Sequence, residues 1–169
     1  FATGGIGGVH KGAEESFDIS ADLDELNRTP VCVVAAGAKA LLDLPKTLEV
    51  LETRGVPVIG YRTDELPAFW SRESGIAAPY RMDTPQEIAD LLNTRQVFGN
   101  HGGVLIANPV PAEHEIPRAE MAGYIDAAIA RASADNIRGK AVTPYVLSTI
   151  LELTDGRSLQ TNIGLVRNN

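Results

Sequence analysis

Short apolar runs alternate with helical segments along this chain, and this alternation constrains its fold more than any other feature. Three runs favour strands buried on both faces: VCVVAA (31–36), PVIGY (57–61) and GVLIA (103–107). Helical patterns separate and follow these runs, at 47–54, from Pro85, and at 118–134, 144–153 and about 158–166. The alternation predicts an α/β fold, layered α/β/α, with a mostly parallel central sheet flanked by helices.

The charge balance and the single cysteine limit which partners and which cellular compartment we expect for the chain. Asp and Glu number 22 against 15 Lys and Arg, so the formal net charge is -7. Such a chain is repelled by a phosphate backbone, and we expect no nucleic-acid partner. No apolar run reaches the roughly 20 residues that a membrane span needs, so we expect no membrane partner. Cys32 has no second cysteine to pair with, which suits a reducing compartment and predicts a cytoplasmic protein.

Both ends of the sequence look cut. Phe1 is followed within three residues by Gly4-Gly5, as if the last turn of a strand entered a glycine-rich loop. The other end stops soon after the apolar run at 163–166. We therefore expect these 169 residues to be a piece of a longer protein, although a natural start and end would give the same pattern.

The loop TGGIGGVHKG (3–12) is the first candidate for chemistry. Glycines let backbone N–H groups converge on an anion. The loop is not a dinucleotide fingerprint, because His10 stands where the third glycine belongs, and it is not a P-loop, because Ala13 follows Gly12 where a lysine belongs. A ligand-binding loop and a tight structural loop remain equally good interpretations. His10 by itself is more typical of a hydrogen-bonded bystander than of a catalyst.

The segment FDISADL (17–23) is the second candidate. In an extended chain Asp18, Ser20 and Asp22 would point to one side. Two carboxylates and a hydroxyl there would suit Mg²⁺ or Mn²⁺, which prefer hard oxygen ligands. The alternative, which the pattern alone favours, is that Ser20 or Asp22 caps a helix formed by ADLDEL.

Lys39 is the third candidate. It follows a buried strand and a Gly-Ala step, which places it at the carboxyl edge of the sheet, where α/β folds bind ligands. A lysine is a nucleophile only in its neutral form, which apolar surroundings favour. The flanking alanines and leucines can provide such surroundings. Taken alone, an ordinary solvated lysine is the more frequent outcome.

Asn162 and the aromatic pair Phe69–Trp70 are explained most simply by structural roles and not by ligand binding. Asn162 is a polar residue inside QTNIGLV, and an exposed helix position explains it most simply. The aromatic pair Phe69 and Trp70 in PAFW is more typical of a core or an interface than of a platform for stacked bases.

Taken together, eight segments resemble one known family, in order and over nearly the whole chain: FATGGIGGVH, SFDISADL, RTPVCVVAAGAK, TLEVLETRGVPVIGY, TDELPAFW, ANPVP, GKAVTPYVL and SLQTNIGLV. They closely resemble the pseudouridine-5′-phosphate glycosidase family, also called the indigoidine synthase A-like family. The resemblance implies a C-glycosidase that interconverts pseudouridine 5′-phosphate and uracil plus ribose 5-phosphate through a lysine Schiff base. It also implies Mn²⁺, or another divalent metal, as cofactor and a homotrimer as the assembly.

The resemblance further implies roles for single residues. Lys39, in AGAK, takes the place of the nucleophilic lysine, and Asp18, in FDIS, that of the metal-binding aspartate. The other implied roles are substrate contacts: Ser20, Ala21 and Asp22, of which Asp22 also serves catalysis, the base-contacting Asn162, and, as weaker assignments, Thr3 and His10.

The sequence departs from the family in one respect. Family members carry a segment before FATGG that holds a proton-donating glutamate and a substrate-binding lysine, and these 169 residues contain no counterpart. We therefore expect residues 1–169 to be the C-terminal portion of a single α/β glycosidase domain, inactive or very weak alone. Two alternatives stay open: a Schiff-base lyase or N-glycosidase acting on another sugar phosphate, and an inactive fragment that only binds.

Overall fold

A four-stranded parallel sheet forms the centre of the molecule. The computed structural model describes residues 1–169, apart from the side chain of Lys140. The strands lie in the order β1-β4-β2-β3, and every neighbouring pair is parallel: β1 (Cys32–Ala35), β2 (Val58–Tyr61), β3 (Tyr80–Met82) and β4 (Val104–Ala107). The α/β prediction and its three strands are confirmed. β3 was not predicted, because this short edge strand is largely exposed and leaves no apolar run in the sequence.

Residues 1–6 extend the sheet beyond β1. Val34 donates its N–H to the carbonyl of Phe1 (2.9 Å) and accepts the N–H of Thr3 (3.0 Å). Ala36 donates in turn to the carbonyl of Gly4 (2.9 Å). The chain therefore enters its glycine loop from a strand-like segment, as the sequence indicated.

Seven α-helices surround the sheet: α1 (Ala13–Ser16), α2 (Asp22–Arg28), α3 (Leu44–Thr53), α4 (Pro85–Val97), α5 (Arg118–Ala134), α6 (Val142–Leu153) and α7 (Arg157–Asn168). Thr84 caps α4 as predicted: its hydroxyl accepts the N–H of Glu87 (3.3 Å), and the Glu87 carboxylate accepts the N–H of Thr84 (2.8 Å). None of the helices in the described part of the chain is long and apolar enough to cross a membrane.

The two faces of the sheet pack against unequal layers. Alternate strand residues such as Val33, Val58 and Leu105 enter the larger core, which also takes side chains from α1, α2, α3, α5, α6 and α7. Ile59, Val104 and Ile106 point the other way into a smaller core, whose helical contacts all come from α4. The layered α/β/α arrangement is therefore confirmed, with a single helix as one of its layers.

Candidate active site

The glycine loop is the scaffold to which the candidate residues attach. Ile6 donates its N–H to the carbonyl of Gly37 and accepts the N–H of Lys39, both at 3.1 Å, so the loop runs directly beside the carboxyl end of β1. A Cβ on Gly5 would stand 2.6 Å from the Phe69 ring, and a Cβ on Gly7 would collide with the Ser20 side chain. These close approaches explain why the loop needs glycine.

Lys39 and Asn162 line one cleft of about 300 Å³, although they lie far apart in the sequence. Lys39 follows β1, and Asn162 lies on α7; both are half-buried. Leucines of α6 and the Phe69–Trp70 pair form the apolar walls. In the described part of the chain, no Asp or Glu forms an ion pair with Lys39. Apolar surroundings without a carboxylate are those that a nucleophilic lysine needs.

Thr3 and Asp22 line a second cleft, of about 280 Å³. Asp22 is exposed, and its carboxylate accepts the N–H of Gly7 (2.7 Å). Gly5 lines this cleft too and packs against Phe69, a wall of the first cleft. The glycine loop thus connects the two clefts.

The segment FDISADL leads into a helix, which is the interpretation that its pattern favoured, and does not form the extended strand that was the other interpretation. Phe17 adopts a left-handed backbone (φ 53°) with its side chain 83% exposed, and Asp22 already begins α2. Helical spacing wins over alternation here because it buries both Leu23 and Leu26 against the main core. Asp18, Ser20 and Asp22 therefore do not share the face of a strand.

The three residues take separate positions instead. Asp18 is close to His10, with Oδ2 4.0 Å from Nδ1, and His10 also donates its backbone N–H to the Asp18 carbonyl (3.0 Å). The Ser20 hydroxyl accepts the N–H of Asp22 (3.2 Å), which satisfies one of the free N–H groups at the start of α2. The helix predicted from ADLDEL is thus present as α2, but neither Ser20 nor Asp22 is its N-cap: Ser20 lies one residue before the cap, and Asp22 is the first helical residue. Ala21 precedes it as an exposed N-cap.

The metal that the resemblance implies fits this chain only as a hydrated ion. Among the described residues, no group of three or more His, Cys, Asp or Glu side chains could hold a metal. Asp18 offers a carboxylate that is 55% exposed, with the His10 imidazole beside it. Small divalent cations are often held by one or two carboxylates, with water as the other ligands.

Phe69 and Trp70 line the candidate site, although their sequence pattern predicted only a core or an interface position. Their assignment to the core is confirmed, since they are 5% and 3% exposed. They also form a wall of the Lys39 cleft, with their rings edge to face at 4.9 Å. No local pattern indicates this, because the wall forms only where the loop after β2 meets α6 and α7.

A comparison with protein families decides where the chain belongs. The family model described as indigoidine synthase A like protein matches residues 1–169. The chain belongs to the indigoidine synthase A-like family. The resemblance drawn from the eight sequence segments is thereby confirmed.

Curated relatives in the indigoidine synthase A-like family are named pseudouridine-5′-phosphate glycosidase. The protein from Mesorhizobium japonicum is 68% identical and that from Methylobacterium nodulans 66% identical over all 169 residues. The chain spans about half of these relatives' own length, 55% and 50% respectively.

Two solved structures share the fold of this family member. The prealnumycin C-glycosynthase AlnA, in complex with ribulose 5-phosphate, is 37% identical, with a TM-score of 0.91 over 98% of this chain and 55% of its own. An indigoidine synthase A-like protein from Thermotoga maritima is 34% identical, with a TM-score of 0.87 over 99% of this chain and 54% of its own.

Proposed function

We propose that this protein, at its full length, is a C-glycosidase that interconverts pseudouridine 5′-phosphate and uracil plus ribose 5-phosphate. The observation that supports this most directly is the shared cleft of Lys39 and Asn162, which has apolar walls and no acidic partner for the lysine among the described residues. The names of the curated relatives and the sugar phosphate in the AlnA complex support the same substrate class.

The chemistry of the bond favours an amine nucleophile. A C–C glycosidic bond has no leaving oxygen or nitrogen to protonate, so the two-carboxylate scheme of ordinary glycosidases suits it poorly. In our proposal neutral Lys39 Nζ bonds to C1′ of the ribose while the C1′–O4′ bond opens, and a proton leaves Nζ for O4′, which restores the nitrogen lone pair. A proton then adds to C5 of uracil. The C1′–C5 bond breaks, its electron pair stays with uracil, and the nitrogen lone pair forms a C1′ iminium on Lys39. Water hydrolyses the iminium and releases ribose 5-phosphate.

The other candidate residues would bind and orient the substrate. Asn162 would read the polar edge of the base beside Lys39, and Asp22, held by the Gly7 N–H, would accept hydrogen bonds from ribose hydroxyls. Ser20 and Ala21 would complete that contact, and Thr3 and His10 would approach the phosphate end. When bound, a hydrated Mn²⁺ at Asp18 would order water near the sugar phosphate. A homotrimeric assembly and a cytoplasmic location belong to the same proposal.

Borohydride trapping tests the role of Lys39. The full-length protein is incubated with ribose 5-phosphate, reduced with borohydride, and analysed by peptide mass spectrometry. Lys39→Arg keeps a long side chain that ends in nitrogen but cannot form an iminium. Lys46→Arg is the matched control, since Lys46 is exposed and paired with Glu14 and Asp43. We expect the wild type and Lys46→Arg to be labelled at Lys39, and Lys39→Arg to remain unlabelled; equal labelling of both variants would refute the proposal.

A second candidate function is a Schiff-base enzyme acting on another sugar phosphate, a lyase or an N-glycosidase. The observation that favours it is the fold neighbour AlnA, which is named for a different aglycone and holds ribulose 5-phosphate. Uracil competition separates the two. If uracil slows trapping of ribose 5-phosphate and is itself coupled to it, the pseudouridine reaction is supported; trapping that uracil leaves unchanged supports the second candidate.

A further inference from the structure

A tight turn at residues 67–71, which we call the clamp turn, has an unusual backbone. Ala68 donates its N–H to the carbonyl of Ser71 (2.9 Å) and accepts the N–H of Ser71 in return (3.3 Å), which closes the turn. Within it Phe69 adopts φ 61°, in the left-handed region that bulky side chains avoid. Such a conformation persists only where the surrounding contacts hold it, and it is frequent at functional sites.

The clamp turn is fixed to the segment that leads to Lys39. Phe69 donates its N–H to the carbonyl of Ala36 (3.1 Å), just beyond the end of β1. The carbonyl oxygen of Pro67 lies only 2.5 Å from the place where a Cβ on Gly37 would stand. Gly37 has a φ of 82°, so this position needs glycine for both its backbone angle and its space. Two residues later the chain reaches Lys39.

The Phe69 ring also fixes the glycine loop. It fills the space beside Gly5, where a Cβ would stand 2.6 Å from the ring. The next residue, Ile6, accepts the backbone N–H of Lys39, and Gly7 holds the Asp22 carboxylate (2.7 Å). A shift of the ring would therefore move the supports of Lys39 and Asp22 together.

The neighbouring aromatic residue fixes the helix that carries Asn162. The Trp70 indole N–H donates to the carbonyl of Ser158 (3.2 Å), and this hydrogen bond is buried. Ser158 lies one turn before Asn162 on α7, and both line the Lys39 cleft. The clamp turn thus contacts the segments that position Lys39, Asp22 and Asn162.

We propose that Phe69 is a positioning residue: its ring, packed against Gly5, sets where the Lys39 amine stands relative to Asp22 and Asn162. The inference rests on the proposed function of Lys39 for its catalytic consequence, but not for the contact itself. It requires no contact between Phe69 and the substrate. It predicts that the ring and the glycine opposite are matched in size.

A size-complementation experiment on the full-length protein tests this match. Gly5→Ala places a methyl against the ring, Phe69→Leu removes the ring, and the double variant does both. Phe98→Leu, at an exposed site after α4, is the matched control. We expect kcat for uracil release to fall about tenfold or more in each single variant with KM within about twofold, since small misplacements of reacting groups slow catalysis strongly. We expect the double variant to be faster than Gly5→Ala, and the control to match the wild type.

Hydrogen–deuterium exchange provides a readout that needs no activity. The backbone N–H groups of Lys39 and Gly7 should exchange faster in both single variants than in the wild type. In Phe98→Leu their exchange rates should equal those of the wild type. If the wild type released no uracil, the proposed function would be refuted. The exchange rates would still test whether Phe69 positions Lys39 and Gly7. A Phe69→Leu protein with wild-type kcat and wild-type exchange would overturn the inference, and so would a rise in KM alone or a double variant no faster than Gly5→Ala.

Discussion

Lys39 and Lys46 show how neighbours decide what a lysine can do. Lys46 is exposed. Its hydrogen bond to Glu14 raises the pKa of its ammonium above the usual value, and a hydrogen bond to Asp43 adds a smaller increase. That amine stays protonated and cannot act as a nucleophile. Lys39 lines an apolar cleft and has no acidic partner among the described residues. The same side chain is thus a surface ion-pair partner in one place and a candidate catalyst in the other.

At this scale we predict that Trp70→Phe loosens the start of α7. The variant loses the buried hydrogen bond from the indole to the Ser158 carbonyl, worth about 1 kcal/mol, together with part of the ring's packing. Urea unfolding followed by circular dichroism should show a loss of about 1–3 kcal/mol. Tyr80→Phe, which removes a hydroxyl from an exposed ring, should change little. An unchanged midpoint in Trp70→Phe would show that the tether does not hold the helix.

Single residues also show where reading the sequence succeeds and where it stops. Lys39 could be placed at the sheet edge, because the strand before it and the glycine after that strand are local signals. The helix that begins at Asp22 was the favoured interpretation of FDISADL, but a strand stayed open because the same seven residues also alternate between polar and apolar. The contact between Gly5 and Phe69 joins residues far apart in the chain, and only tertiary packing creates it.

Among the elements, α4 depends unusually on its own ends. The whole of α4 is described, and none of its residues is buried, so packing stabilises it less than it stabilises α5 or α6. Its capping box therefore matters. Backbone N–H groups of Asp83 and Thr84 bind the Glu87 carboxylate and, with the Thr84 hydroxyl, lower the pKa of Glu87 below its ordinary value of 4.5.

The lowered pKa of Glu87 gives α4 a stability that depends on pH. A carboxyl whose pKa is lower in the folded state stabilises the fold above its unfolded value of 4.5, and this contribution is lost as pH falls through the folded value. Glu87→Gln keeps the shape but not the charge. The wild type should therefore be more stable than this variant at neutral pH, and the difference should vanish in acid. Urea midpoints measured across the acid range check this, with Glu49→Gln on α3 as the control; a difference that persists in acid would contradict it.

Helix α4 and strand β3 show which secondary-structure elements can be predicted from the sequence. The start of α4 was found from Thr84, Pro85 and Glu87, because capping is written in adjacent residues. β3 was missed, because its pairing with β2 comes from its place at the sheet edge, whereas its own three residues are mostly exposed. An element whose ends are marked by capping residues can be predicted from the sequence. A strand that forms only by pairing with a neighbouring strand cannot.

Across the whole molecule, the two sides of the sheet differ in how firmly they are covered. The alternation of strands and helices predicted a parallel sheet, but the order β1-β4-β2-β3 depends on which crossovers pack best and has no local signal. One consequence of that order is that the candidate site and six helices share the larger core, while among the described residues α4 is the helix that covers the other face. Stability should therefore be unevenly distributed.

We predict that α4 opens locally well before the core around the candidate site. Local opening needs little free energy where few apolar side chains are buried, and only Ile88, Leu91 and Leu92 of α4 pack, half-buried, on the sheet. Strand β4 is buried along its whole length and should open only on global unfolding. Native-state hydrogen exchange in low denaturant should give α4 amides a clearly lower opening free energy than β4 amides. Leu91→Ala should lower that of α4 further and leave β4 nearly unchanged. If α4 and β4 amides shared one opening free energy, the two layers would unfold as a single cooperative unit, because then α4 could not separate from the sheet without unfolding the larger core.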